Sequence, residues 1–292
     1  MTIDTSLIRL SMGLRETTLT ARRMLAYAAG IGDLSPQVFD DLHPDFMANP
    51  ALCVALEWPV ISDPGLAGLL VTDPREALRA VHFSQDSHFH RPMRVRDRLI
   101  TRGDVSGIWR GTAGVRVAST LRTTDGDDAD VVTSHTVAVY RGVDALGDDR
   151  PAVGLPELPR PDGTESDPVT VDIAIDRALP HRYTECSGIW NPIHTERRAA
   201  KAAGLPDVIL HGTATWALAG TEIVRHLANG DPSRLRRLHG RFGALVFPGT
   251  TVRLRFRSRV RDDHIEVFFS VLTPEGQSAI ADGVAVISGQ RN

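Results

Sequence analysis

The segment "ECSGIWNPIH", residues 185–194, places His194 directly after a Trp-Asn-Pro turn. An imidazole titrates near neutral pH and can carry a proton to or from a reacting carbon or oxygen. Acid–base sites usually supply a second titratable group beside such a histidine. His194 is therefore a candidate proton carrier, and the residue before Trp190, Ile189, cannot be its partner.

Four neighbours could replace that partner. Glu185, Thr184 and Cys186 are close in sequence, although a carboxylate here is expected to be exposed and Cys186 to be a small buried residue rather than a nucleophile. His211 precedes a predicted helix, where it could cap the helix, bind backbone or face a pocket. Other histidines lie in strand-like stretches without metal-ligand spacing, so neither a metal nor a cofactor is predicted: His88, His90, His135 and His264.

A helix is expected to position His211. The segment "GTATWALAGTEIVRHLANG", 212–230, is bounded by glycines and contains no proline. Its apolar residues recur at helical spacing, which predicts a largely buried helix: Trp216, Leu218, Ala219, Ile223, Val224 and Leu227. The corresponding stretch of the first half, about 48–75, contains four prolines. Proline disrupts a helix interior, so we expect no long central helix there and space for a ligand instead.

Two landmarks repeat along the chain. Tyr27 and Tyr183 each lead a similar segment 156 residues apart, and Phe89 and Phe242 precede similar strands 153 residues apart, which indicates an internal duplication. Residues rich in Pro, Gly and Asp separate the halves and predict a linker. We therefore divide the chain into an N-terminal domain (1–142), a linker (143–167) and a C-terminal domain (168–292) that carries the site.

Each half closes with alternating runs separated by the turns "DGDD" and "PEGQ". Three strands in series after a helix predict an antiparallel sheet with a helix on one face, an α+β fold. The run "RLRFRSRVR", 253–261, alternates in the same way, and a solvated strand face is favoured there over a phosphate-binding patch.

Composition excludes several classes of protein. The 292 residues carry a net charge of -3, which favours neither nucleic acid nor an anionic membrane as partner. No apolar run reaches the length of a membrane span, and the N-terminus does not read as a signal peptide. Two distant cysteines suit a reducing compartment. A cytoplasmic location is the expectation.

Three segments in this order, "YTECSGIWNPIH", "GLPDVILHGTATWALAG" and "RFGALVFPG", resemble the MaoC-like (R)-specific enoyl-CoA hydratase and 3-hydroxyacyl dehydratase family. The resemblance is to its double hot-dog members, in which two hot-dog folds are fused, here with a degenerate N-terminal one. It implies a lyase that adds water to, or removes it from, the α,β positions of an acyl thioester carried by coenzyme A or by acyl carrier protein. It also makes a homodimer plausible.

The family pattern reads Ser-Gly-Asp-x-Asn-Pro-x-His, with Asp and His as its catalytic pair. The resemblance therefore implies a catalytic His194, with His211 as a possible replacement acid. The Gly212 amide, at the positive end of a helix, would bind the thioester oxygen in the transition state. Other residues matching the family segments are candidates for substrate binding: Tyr183, Ser187 and Asn191.

Ile189 occupies the position of the family's Asp, and this departure leaves the reaction open. Alignment of the two halves places Asp33 on Ile189 and Val38 on His194, but equivalent positions should lie at opposite ends of the fused pair. Asp33 is otherwise a turn or helix-cap residue. One interpretation is a hydratase or dehydratase with an altered site for a bulky or long acyl group. The alternatives are an isomerase or cyclase that uses His194 alone, or a non-catalytic acyl-binding or partner subunit.

Overall fold

The computed structural model describes residues 2–63, residue 70 and residues 80–289. Ten strands in these ranges form one sheet. The first half contributes β2 (Ser11–Thr18), β3 (Ala80–Phe89), β4 (Arg98–Gly111), β5 (Gly114–Thr124) and β6 (Asp130–Arg141). The second half contributes β8 (Val169–Ile175), β9 (Leu235–Phe242), β10 (Thr250–Val260), β11 (His264–Leu272) and β12 (Ser278–Ser288).

The strands of the two halves follow the same spatial order. That order is β2-β4-β5-β6-β3 in the first half and, from the opposite edge, β8-β10-β11-β12-β9 in the second. The strands β3 and β9 pair antiparallel at the centre, with Asp86 opposite His239. Two copies of one topology thus share a single sheet around a pseudo-two-fold axis, in agreement with the repeated landmarks of the sequence.

A central helix packs inside the second half of the sheet. It runs from Gly212 to Leu227, starts where the sequence predicts, and buries Trp216 completely. Its contacts are with β12 and β9. Gly220 allows the close approach to β9, because a Cβ there would lie 2.6 Å from Leu238 Cδ2.

The equivalent region of the first half is shorter in its described part. A 3₁₀ turn at Pro50–Leu52 leads into α3 (Cys53–Ile61), which contains Pro59. Residues 64–69 and 71–79 lie outside the described residues. The prediction of a ligand space over 48–75 is therefore tested only in part.

Two further helices meet at the pseudo-two-fold axis: α1 (Ala21–Ile31) and α4 (Leu179–Ser187). Tyr27 and Tyr183 meet edge to face with ring centroids 6.0 Å apart. Gly30 allows this packing, because a Cβ there would lie 2.8 Å from Cys186 Cβ. The other α-helices of the described ranges are α2 (Pro36–Phe39), α5 (Arg197–Ala202) and the central helix, hereafter α6.

The segment between the halves starts with β7 (Asp144–Leu146), which pairs in parallel with β1 (Thr2–Asp4). From there to β8 the chain has no helix and no further named strand. The division into residues 1–142, 143–167 and 168–292 stays a prediction. No helix in the described ranges is long and apolar enough to span a membrane.

Candidate active site

The loop that carries His194 follows α4. The helix ends at Gly188, which adopts a left-handed conformation (φ 74°). The Ser187 hydroxyl donates to the Tyr183 carbonyl at 2.6 Å and accepts from the Ile189 amide at 3.1 Å. Asn191 caps the 3₁₀ turn Pro192–His194 through a bond from the Ile193 amide. The described contacts of Ser187 and Asn191 thus hold the loop, while their role toward a substrate stays a prediction.

His194 is fixed in one tautomer. Its Nδ1 lies 2.9 Å from the Ile209 carbonyl oxygen, which can only accept, so Nδ1 carries the proton. Nε2 is therefore unprotonated in the neutral ring. Burial lowers the pKa of His194 to about 4, although the bond to Ile209 opposes this shift. At neutral pH the ring is an uncharged base with Nε2 free to accept a proton.

His211 lies against His194, with the two rings stacked at a centroid distance of 3.5 Å. It occupies the position before the first residue of α6 and is 3% exposed. Its Nε2 donates to the Ile189 carbonyl at 3.1 Å, which leaves Nδ1 as an acceptor. This Nδ1 is buried and has no hydrogen-bond partner in the described part of the chain. Burial, and then the neighbouring His194, lower the pKa of His211.

The side chain of Ile189 is 5% exposed and belongs to the main hydrophobic core. Within the described ranges, neither imidazole forms an ion pair or hydrogen bond with a carboxylate. Glu185 is exposed, whereas Thr184 donates to the Pro180 carbonyl within α4. Cys186 packs against α1 at Gly30. The structure brings His211 to His194, and no carboxylate among the described residues bonds to either ring.

Gly212 is exposed and is the first residue of α6. The first amides of a helix have no partner within it and point toward solvent or ligand. A Cβ at this position would lie 2.9 Å from the ring of Phe242, so glycine admits that ring beside the helix start. Tyr183 is fully buried, with its ring 5.0 Å from His211 and its hydroxyl donating to Thr213 Oγ1 at 3.1 Å. Burial raises the pKa of Tyr183 to about 12, so it stays protonated.

The first half contains the corresponding loop with different residues. Gly32 is left-handed like Gly188, and Asp33 follows it in place of Ile189. The buried Asp33 carboxylate accepts from Asn49 Nδ2 at 2.8 Å. Asn49 caps the turn that leads into α3, as His211 precedes α6, and Pro50 stands in the place of Gly212. Proline has no amide proton, so this half has no N–H at the position that matches Gly212.

Asp33 also lies far from the His194 loop. Asn49 Nδ2 donates to Thr221 Oγ1 at 3.2 Å, which places the Asp33 cluster beside Thr221 on α6. Thr221 is ten residues after His211 (221 minus 211), or about 15 Å along a helix. The carboxylate of the first half therefore does not complete the His194 site, as the pseudo-symmetry predicts.

In the described part of the chain, no cluster of three or more His, Cys, Asp or Glu side chains could hold a metal ion. Two buried carboxyl groups, Asp86 and Glu57, are not indicated by the sequence patterns. Glu57 lies in α3, 1% exposed, within the apolar run "CVALEWPVI". A single acidic residue in such a run is the signal that could have revealed it.

Solved structures share this fold over nearly the whole chain. A MaoC-like dehydratase from Phytophthora capsici superposes with a TM-score of 0.80 at 22% identity, covering 96% of each chain. A Mycobacterium tuberculosis protein described as a double hotdog fold superposes with a TM-score of 0.62 at 16% identity, covering 96% of each chain. The fold class predicted from the sequence, an α+β double hot dog, is confirmed.

Residues 161–269 match the family model described as MaoC like domain. Among similar curated proteins, probable enoyl-CoA hydratase 2 of Dictyostelium discoideum is 24% identical over 281 residues, 93% of this chain and 92% of that protein. 3-hydroxyacyl-thioester dehydratase Y of Mycobacterium tuberculosis is 29% identical over 246 residues, 80% of each. Residues 161–269 thus match a MaoC-like domain, as the resemblance of the motifs indicates.

Proposed function

We propose that this protein adds water to, or removes it from, the α,β positions of an acyl thioester, with His194 as the proton carrier. The observation that carries the proposal is the tautomer of His194. Its Nδ1–H donates to the Ile209 carbonyl, so Nε2 is unprotonated and can accept a proton. The same MaoC-like domain presents the exposed Gly212 at the start of α6. The names of similar proteins, an enoyl-CoA hydratase and a 3-hydroxyacyl-thioester dehydratase, support the reaction class.

Hydration would proceed with one histidine. The oxygen of water bonds to the β-carbon while His194 Nε2 takes one of its protons, and the electron pair of the double bond moves onto the thioester oxygen. The Gly212 N–H stabilises that oxygen. The enolate then collapses and takes the proton from His194 at the α-carbon. Because one ring handles both steps, H and OH add to the same face of the double bond.

Ile189 makes this site different from the family pattern. A carboxylate would orient the water and share its proton, and the loss of an acid–base partner typically costs about 10²–10⁴-fold in rate. His211 is poorly placed to act as the acid, because its N–H already binds the Ile189 carbonyl. Its ring is stacked on that of His194 at a centroid distance of 3.5 Å. We therefore assign His211 the role of a positioning residue that packs against the His194 ring.

The substrate class we propose is a bulky or long acyl thioester of coenzyme A or of a carrier protein. The first half supports this proposal. Its helix α3, which takes the place of the central helix, is only nine residues long in the described part and so leaves space for a large acyl group. We retain the cytoplasm as the proposed location, with Cys53 and Cys186 both unpaired. A homodimer is also retained as a proposal.

A second candidate is isomerisation or cyclisation of an acyl thioester. The buried side chain of Ile189 favours it, because an apolar residue in place of a carboxylate makes the site less hospitable to water. A single base with an oxyanion donor suffices to move a proton from one carbon to another. The third possibility, a non-catalytic acyl-binding subunit, is an outcome of the experiment below.

The test compares variants on crotonyl-CoA and on a long-chain enoyl-CoA, following loss of the enoyl chromophore. His194→Ala should lose activity by about 10²-fold or more. Ile189→Asp should gain hydration by restoring a carboxylate. The control is His226→Ala, an exposed histidine near the opposite end of α6.

Full activity in His194→Ala would contradict any mechanism based on that ring. If wild type is inert while Ile189→Asp hydrates crotonyl-CoA, the natural reaction is not hydration and the isomerase proposal gains. If neither protein turns over or binds any acyl thioester, the non-catalytic alternative is favoured.

A further inference from the structure

The outer face of the second half of the sheet carries a row of arginines. Along β10, Leu254 and Phe256 point into the core, and Phe256 meets His226 of α6 with ring centroids 5.7 Å apart. The alternate residues Arg255 and Arg257 therefore point away from α6, because successive side chains of a strand face opposite sides. This face is on the other side of the sheet from the His194 loop.

A proline-rich segment, residues 156–161, crosses this face, and we call it the strap. At one end, the buried Arg237 donates to the carbonyls of Pro156 (3.2 Å) and Glu157 (2.8 Å). At the other end, Arg259 donates to the Arg160 carbonyl at 3.2 Å. Two buried arginines thus pin the strap, and three prolines limit its freedom, so the space beneath it is preformed.

A groove of about 1210 Å³ lies between the strap and the sheet. Its walls include Arg160, Arg255, Arg257 and Phe268. This volume exceeds the roughly 300–1,000 Å³ of typical small-molecule sites. The groove is therefore large enough for a nucleotide.

The arginines of this face differ in their partners. Arg259 is neutralised by Asp162 at 2.6 Å, with Glu266 and Glu165 also in contact. Arg255 and Arg257 are exposed and form no ion pair or hydrogen bond with any described residue.

The groove has too few free carboxylates to neutralise its arginines, so it is positively charged. Asp282 is already paired with Arg241 at 2.7 Å, and Glu157 is the other carboxylate of the lining. Three arginines thus face one unpaired carboxylate. This excess of positive charge favours an anionic ligand.

We propose that this groove binds a phosphorylated small molecule of the nucleoside diphosphate class. Guanidinium groups bind phosphate oxygens in a two-pronged geometry. Arg255 and Arg257 are alternate residues, with Cα atoms about 7 Å apart in an extended strand, so their long side chains can reach neighbouring phosphates. Phe268 lies opposite Arg257 in the β10–β11 register. The Arg259 guanidinium lies over one face of its ring, 5.2 Å from the centroid, so a base would stack on the other face. The proposal is independent of the reaction assigned to His194.

The experiment uses ADP as the probe, with calorimetry on the full chain. Wild type should bind ADP saturably, with a Kd below about 1 mM. The double variant Arg255→Ser/Arg257→Ser should bind at least about tenfold more weakly, because it loses two charged hydrogen-bond donors to phosphate. The matched control is Arg253→Ser, on the same strand and face but paired with Asp172 at 3.3 Å and outside the groove lining. It should bind ADP as wild type does.

Three outcomes would overturn the proposal. The first is no saturable binding of ADP by wild type. The second is adenosine binding as tightly as ADP, because phosphate would then not be recognised. The third is ADP binding that is unchanged in the double variant, because ADP would then bind elsewhere on the protein. Because both arginines are exposed, the double variant should unfold at the temperature of wild type, which separates lost binding from lost structure.

Discussion

Glu57 is a carboxyl group inside the core of the first half, and replacing it with glutamine should stabilise the protein increasingly as the pH rises. The Ser134 hydroxyl and Gln85 Nε2 contact its two oxygens, and Ser87 extends the cluster. Burial raises the pKa of Glu57 to about 7, and the bonds from Ser134 and Gln85 oppose this only in part. The folded protein thus favours the protonated acid.

The sign and size of the effect follow from proton binding. An unfolded chain releases this proton near its ordinary pKa of 4.5, whereas the folded chain holds it until about 7. Between these values the folded state binds more protons, so stability falls as pH rises, and above 7 the loss is complete. A difference of about 2.5 pKa units at 1.36 kcal/mol each gives a loss of about 3 kcal/mol at pH 9 and about 1 kcal/mol at pH 5.

Glutamine at position 57 removes this ionisation and can keep both bonds. Its oxygen can accept from Gln85 Nε2, and its amide can donate to Ser134. The free energy of unfolding of Glu57→Gln, relative to that of wild type, should therefore rise by about 2 kcal/mol from pH 5 to pH 9. Urea unfolding at several pH values measures this difference. The histidines with lowered pKa values are common to both proteins and cancel in the difference.

Glu16→Gln is the control, because Glu16 is exposed on β2. Its stability should follow wild type across the pH range. If the curves of Glu57→Gln and wild type stay parallel from pH 5 to pH 9, the buried carboxyl is not held protonated and the reasoning is wrong.

Three further predictions concern the site. Because the pKa of His194 is about 4, kcat/KM in a pH–rate profile should stay level from pH 8 to pH 5 and fall only near pH 4. A fall near pH 6.5 would instead indicate a histidine with the pKa of a solvent-exposed imidazole. Both Gly212→Pro and Gly212→Ala place a Cβ against Phe242, but only proline removes the N–H. In steady-state assays, kcat should therefore be about 10²–10³-fold lower for Gly212→Pro than for Gly212→Ala. Equal rates would show that this amide takes no part in the mechanism. Asp33→Ala leaves Asn49 Nδ2 without its carboxylate and should cost about 1–3 kcal/mol in denaturant unfolding while kcat is unchanged; a large loss of kcat would place Asp33 in the reaction.

Periodicity and turn residues predicted much of this fold. The start of α6, the closing strands of both halves and the repeat marked by Tyr27 and Tyr183 follow from local patterns that the structure keeps. The pairing of β3 with β9 does not follow from such patterns, because it joins residues about 150 positions apart. Its register depends on how the two halves pack, and no local signal encodes that.

The residue types of the candidate site could be predicted from the sequence, but their protonation could not. The motif indicates His194, His211 and the missing carboxylate at Ile189. Which nitrogen carries each proton depends on two carbonyls, those of Ile209 and Ile189, that reach the rings only in the folded chain. The protonation of Glu57 could not be predicted for the same reason. Its pKa is raised by burial, and this helix residue is buried against side chains of the strands β3 and β6 only in the folded chain.

The central pairing of β3 with β9 has a consequence for synthesis of the chain. Asp86 pairs with His239, 153 residues later (239 minus 86), so β3 leaves the ribosome long before its partner. At about 5–20 residues per second, its edge stays unpaired for roughly 8–30 s. During that interval β9 of another copy offers the same backbone pairing. Polysome crowding should therefore promote exchanged dimers, in which the first half of one chain completes its sheet with the second half of another.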